Sequence, residues 1–131
     1  MRSTTILLLA LLAAPLTGGC GGPKPPPMAA TPESSRAVLV EALDGWKTGK
    51  THADLAAGSP PLYFQDDDLL GGAKLLDYAF QGDGKVIGTG YSYIVNIKVQ
   101  EKDGAKTREK RVAYTAVTEP KHAVTREDRK P

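Results

Sequence analysis

The apolar periodicity of this chain changes once, and that change sets its fold class. Leu39, Ala42, Leu43 and Trp46 fall at i, i+3, i+4 and i+7, the spacing of a helix with one buried stripe. In the later run VIGTGYSYIVNIKV the period becomes two. Ile87, Tyr91, Tyr93, Val95, Ile97 and Val99 share one parity, while Ser92, Asn96 and Lys98 share the other with Ile94 as its exception. Such a pattern buries one face of a strand.

Local signals bound these elements. Thr31 is a helix cap, Pro32 suits the first helical position, Glu33 complements the dipole and Gly49 is a stop. Thr51 with Asp54 predicts a short second turn that ends at Gly58, before Ser59-Pro60-Pro61. Leu76, Tyr78 and Phe80 alternate in one further strand, and Val112, Tyr114 and Ala116 in another. Asp83-Gly84 and Asp103-Gly104 are the expected hairpin turns, with Gly88 and Gly90 marking a bulge or bend. A last strand is expected over 122–127, after Pro120. The expectation is a two-layer α+β domain over 31–131: one N-terminal amphipathic helix packed on a curved four-stranded antiparallel meander. With a single cysteine, Cys20, no internal disulfide is available, and the apolar core must hold the domain.

The start of the chain reads as an address. Arg2 precedes the eleven-residue apolar run from Ile6 to Leu16, which is too short to span a bilayer core needing about 20 residues. One positive charge, a short apolar core and the small residues Thr17, Gly18 and Gly19 compose a secretory signal over residues 1–19. Leu16-Thr17-Gly18-Gly19-Cys20 resembles the lipobox of bacterial lipoproteins, with Thr17 where that family usually has leucine. The resemblance implies cleavage before Cys20, a diacylglycerol on its thiol and acylation of the freed amine. Two or more acyl chains give stable anchoring, each buried methylene contributing about 0.8 kcal/mol. The expected location is therefore the outward, periplasmic or extracellular, face of a bacterial membrane. Residues 20–30 then form a Pro/Gly-rich tether; ten polyproline-II residues reach about 30 Å.

Without residues 1–19 the chain has 16 basic and 15 acidic side chains, a balance that selects no polyanion, and no nucleic-acid partner is expected. The distribution is uneven: nine acidic and four basic residues lie in 33–83, six acidic and ten basic in 98–130. The hairpin 98–111 carries Lys98, Lys102, Lys106, Arg108, Lys110 and Arg111 against Glu101, Asp103 and Glu109. These charges would meet lipid headgroups or acidic envelope polymers, or simply keep a sheet end soluble.

Motifs for chemistry are sparse. GWKTGKT at 45–51 has three residues between Gly45 and Gly49 where a phosphate-binding loop needs four, and it closes a helix instead of opening one. Asp66, Asp67 and Asp68 offer oxygen ligands but lack the alternation and glycine of a calcium loop. His52 and His122 stand alone, seventy positions apart, so no metal and no cofactor are expected. Trp46 and the strand tyrosines Tyr78, Tyr91, Tyr93 and Tyr114 are the candidate lining of a ligand pocket between helix and sheet; packing alone also accounts for them.

In element order, residues 32–127 resemble the cystatin-like folds, the group that includes NTF2-like domains. No signature motif matches residue by residue, so no site residue is carried over. The functional expectation is a lipid-anchored, non-enzymatic interaction or structural module with a membrane contact through Cys20 and an envelope protein partner. A small-ligand carrier and an NTF2-like enzyme with a buried polar pair, Asp77 being one candidate, are the alternatives.

Overall fold

The computed structural model describes residues 31–104 and 106–127. The expected leader 1–19, Cys20 and the 20–30 tether lie outside the described residues. The first helix, α1, spans Pro32–Lys47. At its start Thr31 Oγ1 accepts from the Ser34 N–H at 3.0 Å, and Ser34 Oγ accepts from the Thr31 N–H at 2.9 Å. This reciprocal pair satisfies two backbone donors that a helix otherwise leaves open. The stripe Ser35, Val38, Leu39, Ala42, Leu43 and Trp46 is buried. Helix α2, His52–Ala56, repeats the device with Thr51 and Asp54. The Thr51 backbone N–H is the main cause that lowers the pKa of the Asp54 carboxyl.

The domain is α+β, with a mixed sheet of five strands in the order β1-β5-β4-β3-β2. Strand β1 is Leu62–Gln65, followed by a third helix, α3, at Asp67–Leu70. The remaining strands are β2 (Lys74–Ile87), β3 (Gly90–Gln100), β4 (Thr107–Val117) and β5 (His122–Glu127). The expected single helix on four antiparallel strands is thus corrected. Strand β1 pairs in parallel with β5, Leu62 opposite His122 and Gln65 opposite Thr125. Four residues beside Pro60-Pro61 are too few to display a period, and their partner is about sixty positions away.

Two further expectations change within β2. Asp83-Gly84 is not a hairpin turn: β2 continues through it with a register shift between Gln81 and Lys85, and the turn to β3 is made by Gly88 (φ +54°) and Thr89. A second irregularity sits at Leu76, because Leu75 pairs with Val99 while Asp77 pairs with Lys98. That extra residue reverses the parity. Leu75 is buried, Leu76 faces out, and Tyr78 and Phe80 turn in.

The core lies between α1 and the inner face of the sheet. Val95, Ile97, Val99, Val112, Tyr114, Ala116 and Val124 meet Leu39, Leu43 and Trp46 there. Each buried Leu, Ile or Val contributes about 1.5–3 kcal/mol. Edge-to-face ring contacts knit the layers: Trp46 to Phe64 (6.0 Å between centroids), Phe64 to Tyr114 (5.8 Å) and Phe80 to Tyr93 (5.7 Å).

Candidate functional site

Trp46 and the strand tyrosines are structural bolts. Trp46 Nε1 donates to Ala73 O at 2.9 Å, Tyr93 Oη to Pro32 O at 2.7 Å, Tyr78 Oη to Asp44 Oδ1 at 2.6 Å and Tyr114 Oη to Asp66 Oδ2 at 2.6 Å. Every one of these joins a helix or its flanking loop to the sheet or to β2's approach. Tyr91 is half-buried and packs against the same core. Burial first, and the Asp44 carboxylate second, push the Tyr78 phenol up to about 12. Burial also raises Tyr93, and burial with the Asp66 carboxylate raises Tyr114 well above the ordinary phenol range. These hydroxyls are held as neutral donors. The candidate pocket residues therefore come together around α1 as packing, and Tyr78 also borders a groove, on the outer side of the sheet.

The aspartate triplet divides its work. Asp66 is buried and caps α3: its Oδ1 accepts from the N–H groups of Asp68 (2.8 Å) and Leu69 (3.0 Å). Asp68 accepts from Lys110 Nζ at 2.9 and 3.0 Å and from Arg126 Nη1 at 2.7 Å. Arg126 also lies 3.6 Å from Asp66 Oδ1. Burial works against ionising Asp68, but Lys110 and Arg126 outweigh it and hold its carboxyl below the ordinary value. Two carboxylates, two cations and a phenol make a balanced cluster that locks α3 onto β4 and β5. A metal would have to displace those donors, and Asp67, exposed, offers one carboxylate alone.

Among the described residues no group of three or more His, Cys, Asp or Glu side chains is placed to hold a metal. His52 is exposed at the start of α2; His122, half-buried, starts β5. Asp77, a candidate for buried chemistry, is instead exposed on β2, 3.7 Å from Lys47 Nζ. In the basic hairpin, Lys110 is spent on Asp68 and Arg108 Nε pairs with Glu101 at 2.9 Å.

The outer face of the sheet is a different surface. Its cross-strand rows are Asp77–Lys98–Glu109, Ala79–Asn96–Arg111, Gln81–Ile94–Ala113 and Lys85–Ser92–Thr115. On β5, Thr125 lies opposite Thr115, and Thr115 Oγ1 donates to Glu127. The first two rows border a groove of about 450 Å³, and the last two one of about 420 Å³ whose lining includes Gln81, Val86, Ile94 and Ala113 with Asp83 and Lys85 at the β2 side. A third, of about 350 Å³, lies where α2 borders the face, beside Tyr63, whose ring carries Lys121 Nζ 4.3 Å from its centroid. No described helix lies across the centre: Ala79 and Asn96 are exposed, and Ile94, Ala113 and Thr115 are partly so. Sequence reasoning set this parity aside as the polar side of a strand. The signal available was Ile94, the exception within that parity, together with the uncharged positions 113 and 115 on the neighbouring strand. The chain matches no family model, no curated protein and no solved structure.

Proposed function

We propose that this chain is a lipid-anchored cell-envelope protein that works by binding a protein through the outer face of its sheet, without catalysing a reaction. The observation that carries the reading is that face, which no described helix covers, with Ile94, Ala113, Ser92 and Thr115 at its centre and charges of both signs around them. Interfaces deplete charge at the centre and keep it at the rim. On the inner layer, by contrast, Trp46, Tyr78, Tyr93, Tyr114, Asp66 and Asp68 are already engaged in holding the fold. The anchor rests on the run from Leu16 to Cys20, with residues 20–30 as tether. Within the α+β class we further propose the cystatin-like, NTF2-like arrangement, supported by one long helix across a sheet whose first long strand is bulged twice.

A native mass spectrum of the protein released gently from its own membranes tests both halves. The expected result is a lipid mass on Cys20 and a complex with a protein. An unmodified Cys20 thiol removes the anchor. A monomer carrying a discrete small-molecule mass replaces the interaction reading with the ligand carrier, and the groove residues Ile94 and Ala113 become the first positions to mutate.

A further inference from the structure

Resting on that reading of the outer face, we propose that its occupant is a second copy of this chain. In the β3–β4 register, Ile94 stands beside Ala113, Ser92 beside Thr115 and Lys98 beside Glu109. A two-fold axis parallel to the strands and between β3 and β4 lays each strand over the other's copy. Each residue then faces its own register neighbour in the partner: Lys98 meets Glu109 twice, Ile94 fills the space over Ala113 twice, and the hydroxyls of Ser92 and Thr115 face each other. Asn96 meets Arg111 in the row between; the Lys98–Glu109 row is complementary to itself in charge and the Ile94–Ala113 row in size, as an isologous interface requires.

The area is adequate. Strands about 4.8 Å apart, rising about 3.3 Å per residue, give this face on the order of 700 Å², close to the roughly 800 Å² that each partner contributes to a stable interface. Aligned sheets pack about 10 Å apart, and small central side chains permit that approach. The same axis also suits the tether. Tyr93 holds Pro32 O, so the start of α1, to which the proposed tether would join, lies at the β2–β3 end. An axis along the strands brings both tethers out at one end, as two anchors in one membrane require.

The test is charge reversal on the full chain, extracted in mild detergent and weighed by analytical ultracentrifugation, with thermal unfolding in parallel to confirm folding. Wild type is expected to dimerise, Lys98→Glu and Glu109→Lys each to weaken the dimer about tenfold or more, and the double variant to restore it. Loss of the dimer in Ala113→Arg, with unfolding unchanged, supports the same face without involving charge. A wild-type monomer at all concentrations overturns the proposal, as does a dimer indifferent to all of these variants. A photoreactive cross-linker attached to the thiol of Ala113→Cys, activated in intact membranes with wild type as the control for Cys20, separates the two readings. A product at twice the chain mass supports the second copy. A product with a different protein overturns it but keeps the interaction reading, and no product from an accessible thiol overturns both.

Discussion

At the scale of single residues, the buried polar atoms are where stability is most exposed to a small change. Asp66 Oδ2 has the Tyr114 hydroxyl as its donor at 2.6 Å, inside the core. Tyr114→Phe removes that donor and leaves a buried carboxylate oxygen unpaired, at an expected cost of about 1–3 kcal/mol by denaturant unfolding. A loss below the scatter of the measurement shows instead that the acid relaxes onto Arg126. Asp68 contributes a pH dependence. Its folded pKa lies below its unfolded one, so its contribution is complete above the unfolded value, about 3.9, and is lost as pH falls through the folded value. Wild type should therefore exceed Asp68→Asn in stability at neutral pH, with the gap closing below about pH 4. A gap that stays constant into acid rules out ionisation as its cause. Neither partner was legible in the triplet itself. Adjacent carboxylates look like a solvated turn until the chain brings Lys110, Tyr114 and Arg126 back over them from more than forty positions away.

At the scale of elements, legibility followed how local each signal is. Hydroxyl caps act within three residues, and Thr31 and Thr51 stand at the helix starts with their partners in place. Alternation is equally local, and in β3 and β4 it continues unbroken from Tyr93 to Val99 and from Val112 to Ala116. Strand β2 was legible over Leu76 to Phe80, but the face of Leu76 and the strand's full length were not, because two irregularities break its parity and Asp83-Gly84 has the chemistry of a turn. The structural need there is different. A Cβ on Gly84 would stand 2.5 Å from Tyr93 Cε1, so the glycine lets the Tyr93 ring lie against the bulged strand while its hydroxyl reaches α1. Gly84→Ala is expected to destabilise the domain by about 1–3 kcal/mol, as overpacking does, with the loss of protection concentrated at the β2–β3 amides in hydrogen exchange. Wild-type stability in that variant would mean the Tyr93 ring moves freely. Strand β5 was legible, but its parallel pairing with β1 had no local signal, because the two partners lie about sixty positions apart.

At the scale of the whole molecule, the change of period was enough for the α+β class, but the outer face was not visible, since a parity of alanines, hydroxyls and charges reads as solvent-facing until the sheet aligns them. The fold also gives the molecule two ends. Helix α1 starts where Tyr93 holds Pro32 O and finishes where Trp46 donates to Ala73, beside the β3–β4 turn. Sixteen helical residues at about 1.5 Å each separate those ends by roughly 24 Å. The start of α1, to which the proposed tether would join, lies at the first end; the basic hairpin residues Lys102 and Lys106 occupy the second. In an upright domain those lysines point away from the membrane that holds the proposed anchor, and surface charges separated by more than a Debye length, about 8 Å at physiological salt, are largely screened. Vesicle binding by the mature chain should then depend on Cys20 and not on the hairpin. With vesicles containing anionic lipid, co-sedimentation should be lost in Cys20→Ser and unchanged in a Lys102→Gln, Lys106→Gln double variant. Release by the lysine variant at physiological salt would mean that the domain lies flat, with its hairpin on the lipid. That geometry also tilts the β3–β4 axis into the membrane plane, so the same measurement bears on how two copies could face each other.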